Sequence, residues 1–129
     1  MMTDSLSGRA LKSLQSLSGV RTRKMFGGTG IFHSAVMFGL ISDNKLYFRT
    51  GATNVAHYLK QGQTPYIHSC FGTYFALPYY SVPIFVQLDE GTLAEWAEKA
   101  MDVSKQPSQS SRKYFAKWTE FNVRPTYQV

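Results

Sequence analysis

Apolar residues follow a helical period at both ends of the first hundred positions and lose it in between. Leu6, Ala10, Leu14 and Leu17 fall at i, i+4, i+8 and i+11, with Leu11 beside them. That spacing makes one apolar stripe and predicts an opening helix, with Asp4 or Ser5 as its cap and Gly19 just past its end. Leu93, Trp96, Ala97, Ala100 and Met101 repeat at i, i+3, i+4, i+7 and i+8. They predict a closing helix that starts at Asp89 and ends near Ser104, with Glu95, Glu98, Lys99 and Asp102 on its polar face. A shorter helix is expected over residues 53–61, with Thr53 as cap, Val55, Ala56 and Leu59 inward, and Gly62 as terminator.

Between these helices the pattern is extended. Residues 20–32 are β-branched, aromatic and glycine-rich, and read as one strand in which Gly27, Gly28 and Gly30 mark a bulge or bend. A turn at His33-Ser34 leads into a strand over 36–41, and the Asp43-Asn44 turn leads into one over 45–49. In the latter, Leu46 and Phe48 share one face while Lys45, Tyr47 and Arg49 share the other. Two further strands, 66–70 and 73–77, flank a tight turn at Phe71-Gly72. Residues 78–83 read as a stiff connector. The order is α-β-β-β-α-β-β-α. Hairpin connections without repeating strand-helix-strand units predict an α+β fold, an antiparallel five-stranded sheet covered by helices. Residues 1–105 form the expected domain. Residues 106–111 are polar and breaker-rich, a linker, so 106–129 is a linker and a basic-aromatic tail.

Composition narrows the function classes. A chain of 129 residues, 43% of them hydrophobic, suits one domain with its own core. Its longest apolar run, residues 35–41, is too short to span a bilayer, and residues 1–20 lack the apolar stretch of a secretory leader. With one cysteine, Cys70, no internal disulfide framework is expected, and a cytoplasmic location follows as the expectation. The net charge of +6 lies wholly within residues 1–80, which hold eight basic and two acidic side chains, whereas residues 81–129 hold six of each. Such a local positive field attracts nucleic acid or acidic partners.

The chemistry-bearing motifs are weak. Gly27-Gly28-Thr29-Gly30 lacks the Gly-Lys-Ser/Thr ending and following helix of a phosphate loop. His33, His57, His68 and Cys70 show no paired metal-ligand spacing. Glu95 and Glu98 read as solvated helix charges. No enzyme activity, metal or cofactor is expected. Two constellations remain. Arg21, Arg23, Lys24, Lys45 and Arg49 are the candidate patch for nucleic-acid backbone or an acidic partner, with Tyr47 among them. Tyr114, Phe115, Trp118 and Phe121, at roughly i, i+1, i+4 and i+7 beside Arg112, Lys113 and Lys117, are the candidate docking surface for a partner or a second copy.

Three blocks have a family likeness: Arg23-Lys24-Met25-Phe26-Gly27-Gly28-Thr29-Gly30-Ile31-Phe32, Met37-Phe38-Gly39-Leu40-Ile41, and Lys45-Leu46-Tyr47-Phe48-Arg49. With Leu77-Pro78-Tyr79-Tyr80-Ser81-Val82-Pro83 and the closing helix, they resemble the N-terminal domain of the TfoX/Sxy family over roughly residues 5–105. The resemblance implies the element order read above. It also implies a role in switching on DNA-uptake genes for transformation, alongside a cyclic-AMP-responsive activator. Full-length regulators of this kind carry a second, helical C-terminal domain, whereas about 25 residues follow the last domain helix here. The family offers no catalytic residues to carry over. The function expected is that of a transcriptional coregulator acting mainly through protein contacts, the alternative being a dimerising interaction module that does not touch DNA. The expected partners are a transcription activator or other regulatory protein, nucleic-acid backbone and a second copy of the chain. No membrane is among them.

Overall fold

A computed structural model of the chain describes residues 5–25 and 27–105. The elements are α1 (Leu6–Gln15), β1 (Val20–Met25), β2 (Gly28–His33), β3 (Val36–Ser42), β4 (Lys45–Arg49), α2 (Val55–Lys60), β5 (Pro65–Cys70), β6 (Thr73–Ser81), α3 (Ile84–Gln87) and α4 (Glu90–Lys105). The strands make one six-stranded sheet in the order β1-β2-β3-β4-β6-β5, with every neighbouring pair antiparallel. The fold is the expected α+β arrangement with one strand more than the expected five. The region read as a single bent strand is a hairpin. Gly27, at φ +77°, supplies the left-handed backbone that a tight reversal needs, and β1 and β2 then pair from Val20↔His33 to Met25↔Gly28.

The other turns follow local chemistry. Asp43 and Asn44 both have positive φ, as do Phe71 and Gly72, the double left-handed pattern that suits the twist of a two-residue hairpin. Ser34 and Ala35 do the same, one residue later than the expected turn. Ser5 caps α1 by accepting the Gly8 N–H at 3.0 Å. Asp89 precedes α4 and accepts from the Thr92 N–H at 2.9 Å and its hydroxyl at 2.7 Å. These bonds favour the ionised form and hold its carboxyl below the usual aspartate value.

The core lies between one sheet face and the helices. Ala10 and Leu14 of α1, Val86 of α3 and Leu93, Ala97, Ala100 and Met101 of α4 bury Val20, Ile31, Phe38, Leu46 and Phe48. Ala97 and Ala100 are fully buried. Their small side chains let the α4 backbone approach the sheet closely. In β3 the register shifts so that Ile31 opposes Gly39 and Phe32 opposes Met37, which leaves Phe38 as the extra residue of a bulge. The bulge turns Phe38 inward beside Phe48, with ring centroids 5.9 Å apart.

Helix α2 and α3 close the flank. Asn54, rather than the expected Thr53, precedes α2. Its buried side chain accepts from the Gly51 N–H at 2.7 Å and donates to the Arg49 carbonyl at 3.0 Å, tying the end of β4 to the helix. Tyr58 is 1% exposed, and its hydroxyl meets no hydrogen-bond partner among the described residues. Burial alone pushes its phenol far above the ordinary tyrosine value. Tyr58→Phe removes a buried, unsatisfied polar group and is expected to raise stability by about 1 kcal/mol. Urea unfolding checks this, and a lower midpoint would mean that the hydroxyl has a partner after all.

Candidate functional site

The sheet face away from the helices carries most of the residues of interest. Strand alternation puts Arg21, Arg23 and Met25 of β1 on this face, with Phe32 of β2, Met37 and Leu40 of β3, and Lys45, Tyr47 and Arg49 of β4. The β5–β6 register shifts between Pro65 and Tyr66, and the register beyond it pairs Tyr66 with Leu77, on this face. Tyr66 thereby meets Tyr47 edge-on at 5.2 Å and joins Met25, Met37 and Leu40 around one narrow crevice. A second apolar cluster forms here from Met37, Leu40, Leu77 and Tyr79, with Phe32, Tyr47 and Phe75 packed against it. An unexpected result is that this face is partly roofed: Tyr66 of β5 reaches Met25 of β1, and β6 extends through Tyr79–Ser81 and pairs with β4 where a stiff connector was expected.

That roof separates the basic residues. Arg21 and Arg23 are exposed on the β1 edge, and the Arg23 guanidinium lies 5.3 Å from the Phe32 ring centre. Lys24 alternates to the opposite face. Lys45 is exposed on β4, three strands along, in an open groove with Asp43, Tyr47, Tyr66 and His68. Arg49 is only 5% exposed. Its guanidinium sits 5.8 Å from the Tyr79 ring centre, and its Nε has no hydrogen-bond partner among the described residues. The five candidates therefore do not form one continuous basic surface. Tyr114, Phe115, Trp118 and Phe121 lie outside the described residues.

Burial dominates the electrostatics of this face. It pushes the Tyr79 phenol up to about 12, with the neighbouring Arg49 charge and hydrogen bond opposing the rise. The Tyr79 hydroxyl donates to the Met37 carbonyl at 3.4 Å. Burial also raises Tyr47, with smaller contributions from Tyr66 and Asp43, and lowers His68. A buried guanidinium is costly unless well paired, and a well-packed apolar side chain of similar size often replaces one at no loss. Arg49→Met is therefore expected to raise stability by about 1 kcal/mol. A drop of that size in thermal unfolding would show instead that the contact with the Tyr79 ring outweighs desolvation.

Sequence reasoning passed over a different surface. On the outer side of the β5–β6 hairpin, Ile67 is 51% exposed, Phe71 71% and Tyr74 70%. Large apolar side chains clustered at an exposed strand pair mark an interaction surface more often than scattered ones do. The signal was present: apolar residues occupy both faces of these strands, which a half-buried strand does not require. Among the described residues, no three His, Cys, Asp or Glu side chains come together as a metal site, and no helix is long and apolar enough to cross a membrane.

Comparison with known proteins adds an independent line. Residues 12–104 match the family model described as the TfoX N-terminal domain. The chain is also similar to a DNA transformation protein, TfoX1, of Aliivibrio fischeri, at 28% identity over 100 residues. That match takes in 78% of this chain and 48% of the relative, so the chain spans about half the length of the curated protein it resembles.

Proposed function

We propose that this chain, which belongs to the TfoX N-terminal domain family, is a competence-related regulator that acts as a transcriptional coregulator through protein contacts. The observation that carries the mechanism is the exposed apolar surface of Ile67, Phe71 and Tyr74 on the β5–β6 hairpin. Its complement is a protein surface, such as that of a DNA-bound activator, because nucleic acid offers phosphate and base edges to such residues rather than apolar pockets. The dispersal of the basic residues supports the same choice, since backbone binding draws on several cations acting together. On this reading the chain works in the cytoplasm and carries out no catalysis.

A second reading, an interaction module that dimerises without touching DNA, is favoured by the sheet edge. β5 is an edge strand without charged side chains, whereas the opposite edge, β1, carries Arg21, Arg23 and Lys24. Edge strands left uncharged are open to pairing with another strand.

The test is a DNA-uptake-gene reporter in a cell lacking its own regulator of this family. Ile67→Ser/Tyr74→Ser is expected to abolish activation while Arg21→Ala/Arg23→Ala retains it. Purified chain is expected to shift operator DNA only at low salt, as non-specific binding does. The opposite pattern, activation lost with the arginines and sequence-specific binding at physiological salt, would overturn the coregulator mechanism. A dimer mass that Ile67→Ser converts to a monomer, with no reporter effect, would favour the second reading.

A further inference from the structure

A second apolar surface lies on the helical side, away from the hairpin. In α3 only Val86 is buried; Ile84 and Phe85 are 64% and 52% exposed, and Leu88, just past its end, is 63% exposed. The Phe85 ring meets the half-buried Trp96 of α4 edge-on at 6.1 Å, which joins the two helices into one apolar strip. Beside it Glu95, Glu98 and Asp102 recur at i, i+3 and i+7, all exposed, as an acidic stripe along α4. Over residues 89–105 five acidic side chains outnumber two basic ones, a net −3 in a chain of net +6.

We propose that residues 114–121 of this same chain occupy that strip, with Trp118, Phe115 and Phe121 against Phe85, Leu88 and Trp96, and Lys113 and Lys117 facing Glu95, Glu98 and Asp102. The segment has the complementary chemistry. Residues 106–129 hold four basic side chains against one acidic, a net +3. Lys113 and Lys117 are four apart beside the aromatic positions, the same one-sided layout as the acidic stripe beside Trp96. The excess charge of residues 1–80 repels this segment, so the α4 stripe is the concentration of opposite charge available to it.

Reach permits it. The stretch from Lys105 to Arg112 spans up to about 23 Å when extended. From Lys105 back to Trp96 along the helix axis is about 13 Å, and back to Glu90 about 22 Å. A segment joined by so short a linker competes at an effective concentration on the order of millimolar, well above that of a second copy or a free protein at micromolar levels. The same strip, when the segment leaves it, is a ready surface for another partner. The inference does not depend on the coregulator reading, since it concerns a different face.

Zero-length carbodiimide coupling of the full chain, followed by peptide mass spectrometry, tests it. An equal mixture of unlabelled and ¹⁵N-labelled chain separates coupling within one chain from coupling between two. The expected products join Lys113 or Lys117 to Glu95, Glu98 or Asp102 within one chain. Their yield should fall about tenfold in Phe115→Ser/Trp118→Ser and decline as salt rises, as interactions between exposed charges do. Hydrogen exchange over Ile84–Gln87 should speed up in the same variant. Lys113→Glu/Lys117→Glu, which touches no apolar residue, should produce the same faster exchange. Mixed-isotope products in place of single-isotope ones would assign the strip to a second copy and overturn the proposal. So would the absence of coupling together with exchange that neither variant alters.

Discussion

Phe48→Ala is expected to lower stability by about 3–5 kcal/mol, enough to unfold most of the chain at physiological temperature. Phe48 is fully buried on the helix-facing side of β4 and packs on Phe38. Its ring also lies over Gly39 of the neighbouring strand, where a Cβ would stand 3.1 Å from its Cδ1. Truncation would open a cavity beside Gly39, in the cluster that also holds the small side chains Ala97 and Ala100 of α4. None of these can move in to fill it, so little of the cost is relieved by collapse. Phe48→Leu keeps most of the volume and should recover more than half of the loss. Chemical denaturation of the three chains checks the order, and a Phe48→Ala midpoint within error of the parent would remove β4 from the core.

The second large effect is expected at Trp96, whose substitution by alanine should cost about 3 kcal/mol. Its ring meets Tyr58 edge-on at 4.8 Å, with His57 and Phe85 each at 6.1 Å, so one side chain links α2, α3 and α4. Trp96 is half-buried, which sets the cost at the lower end of the range for a core aromatic. Loss of the ring should also expose Tyr58, the largest fully buried side chain among the described residues, and quicken hydrogen exchange throughout α2. Trp96→Phe retains the edge-on contact and should lose less than half as much. If Trp96→Ala melts with the parent, α4 is held by Leu93, Ala97 and Met101 alone.

Much of the fold was legible in short stretches of sequence. The periods of α1 and α4, the caps Ser5 and Asp89, and the turns at Asp43-Asn44 and Phe71-Gly72 each depend on a few adjacent residues, and each appears at or within a residue of its expected place. The split of β1 from β2 was misread because glycine serves both bulges and reversals. Which of the two forms depends on whether the strand beyond finds a partner, and β2 finds partners on both sides. α3 escaped notice because four residues carry too little of a helical period to distinguish from a connector.

The candidate site was less legible. Alternation correctly placed Lys45, Tyr47 and Arg49 on one face of β4 and Leu46 and Phe48 on the other. It could not say what would stand over the polar face. Arg49 is buried because Tyr79, thirty positions away, pairs beside it and lays its ring against the guanidinium. By itself, then, the sequence determined α1 and α4 with their caps, most of the strands, most turns, the two faces of β4 and the family likeness. The tertiary structure alone decided the strand order, the roof over the sheet, which of the cations stay in water and which apolar residues of β5, β6 and α3 remain uncovered. The physical reason is range. Helical period, capping and turn geometry arise from neighbours within a few residues, whereas burial is set by pairings between distant strands, and a side chain has the same local sequence whether or not such a partner closes over it.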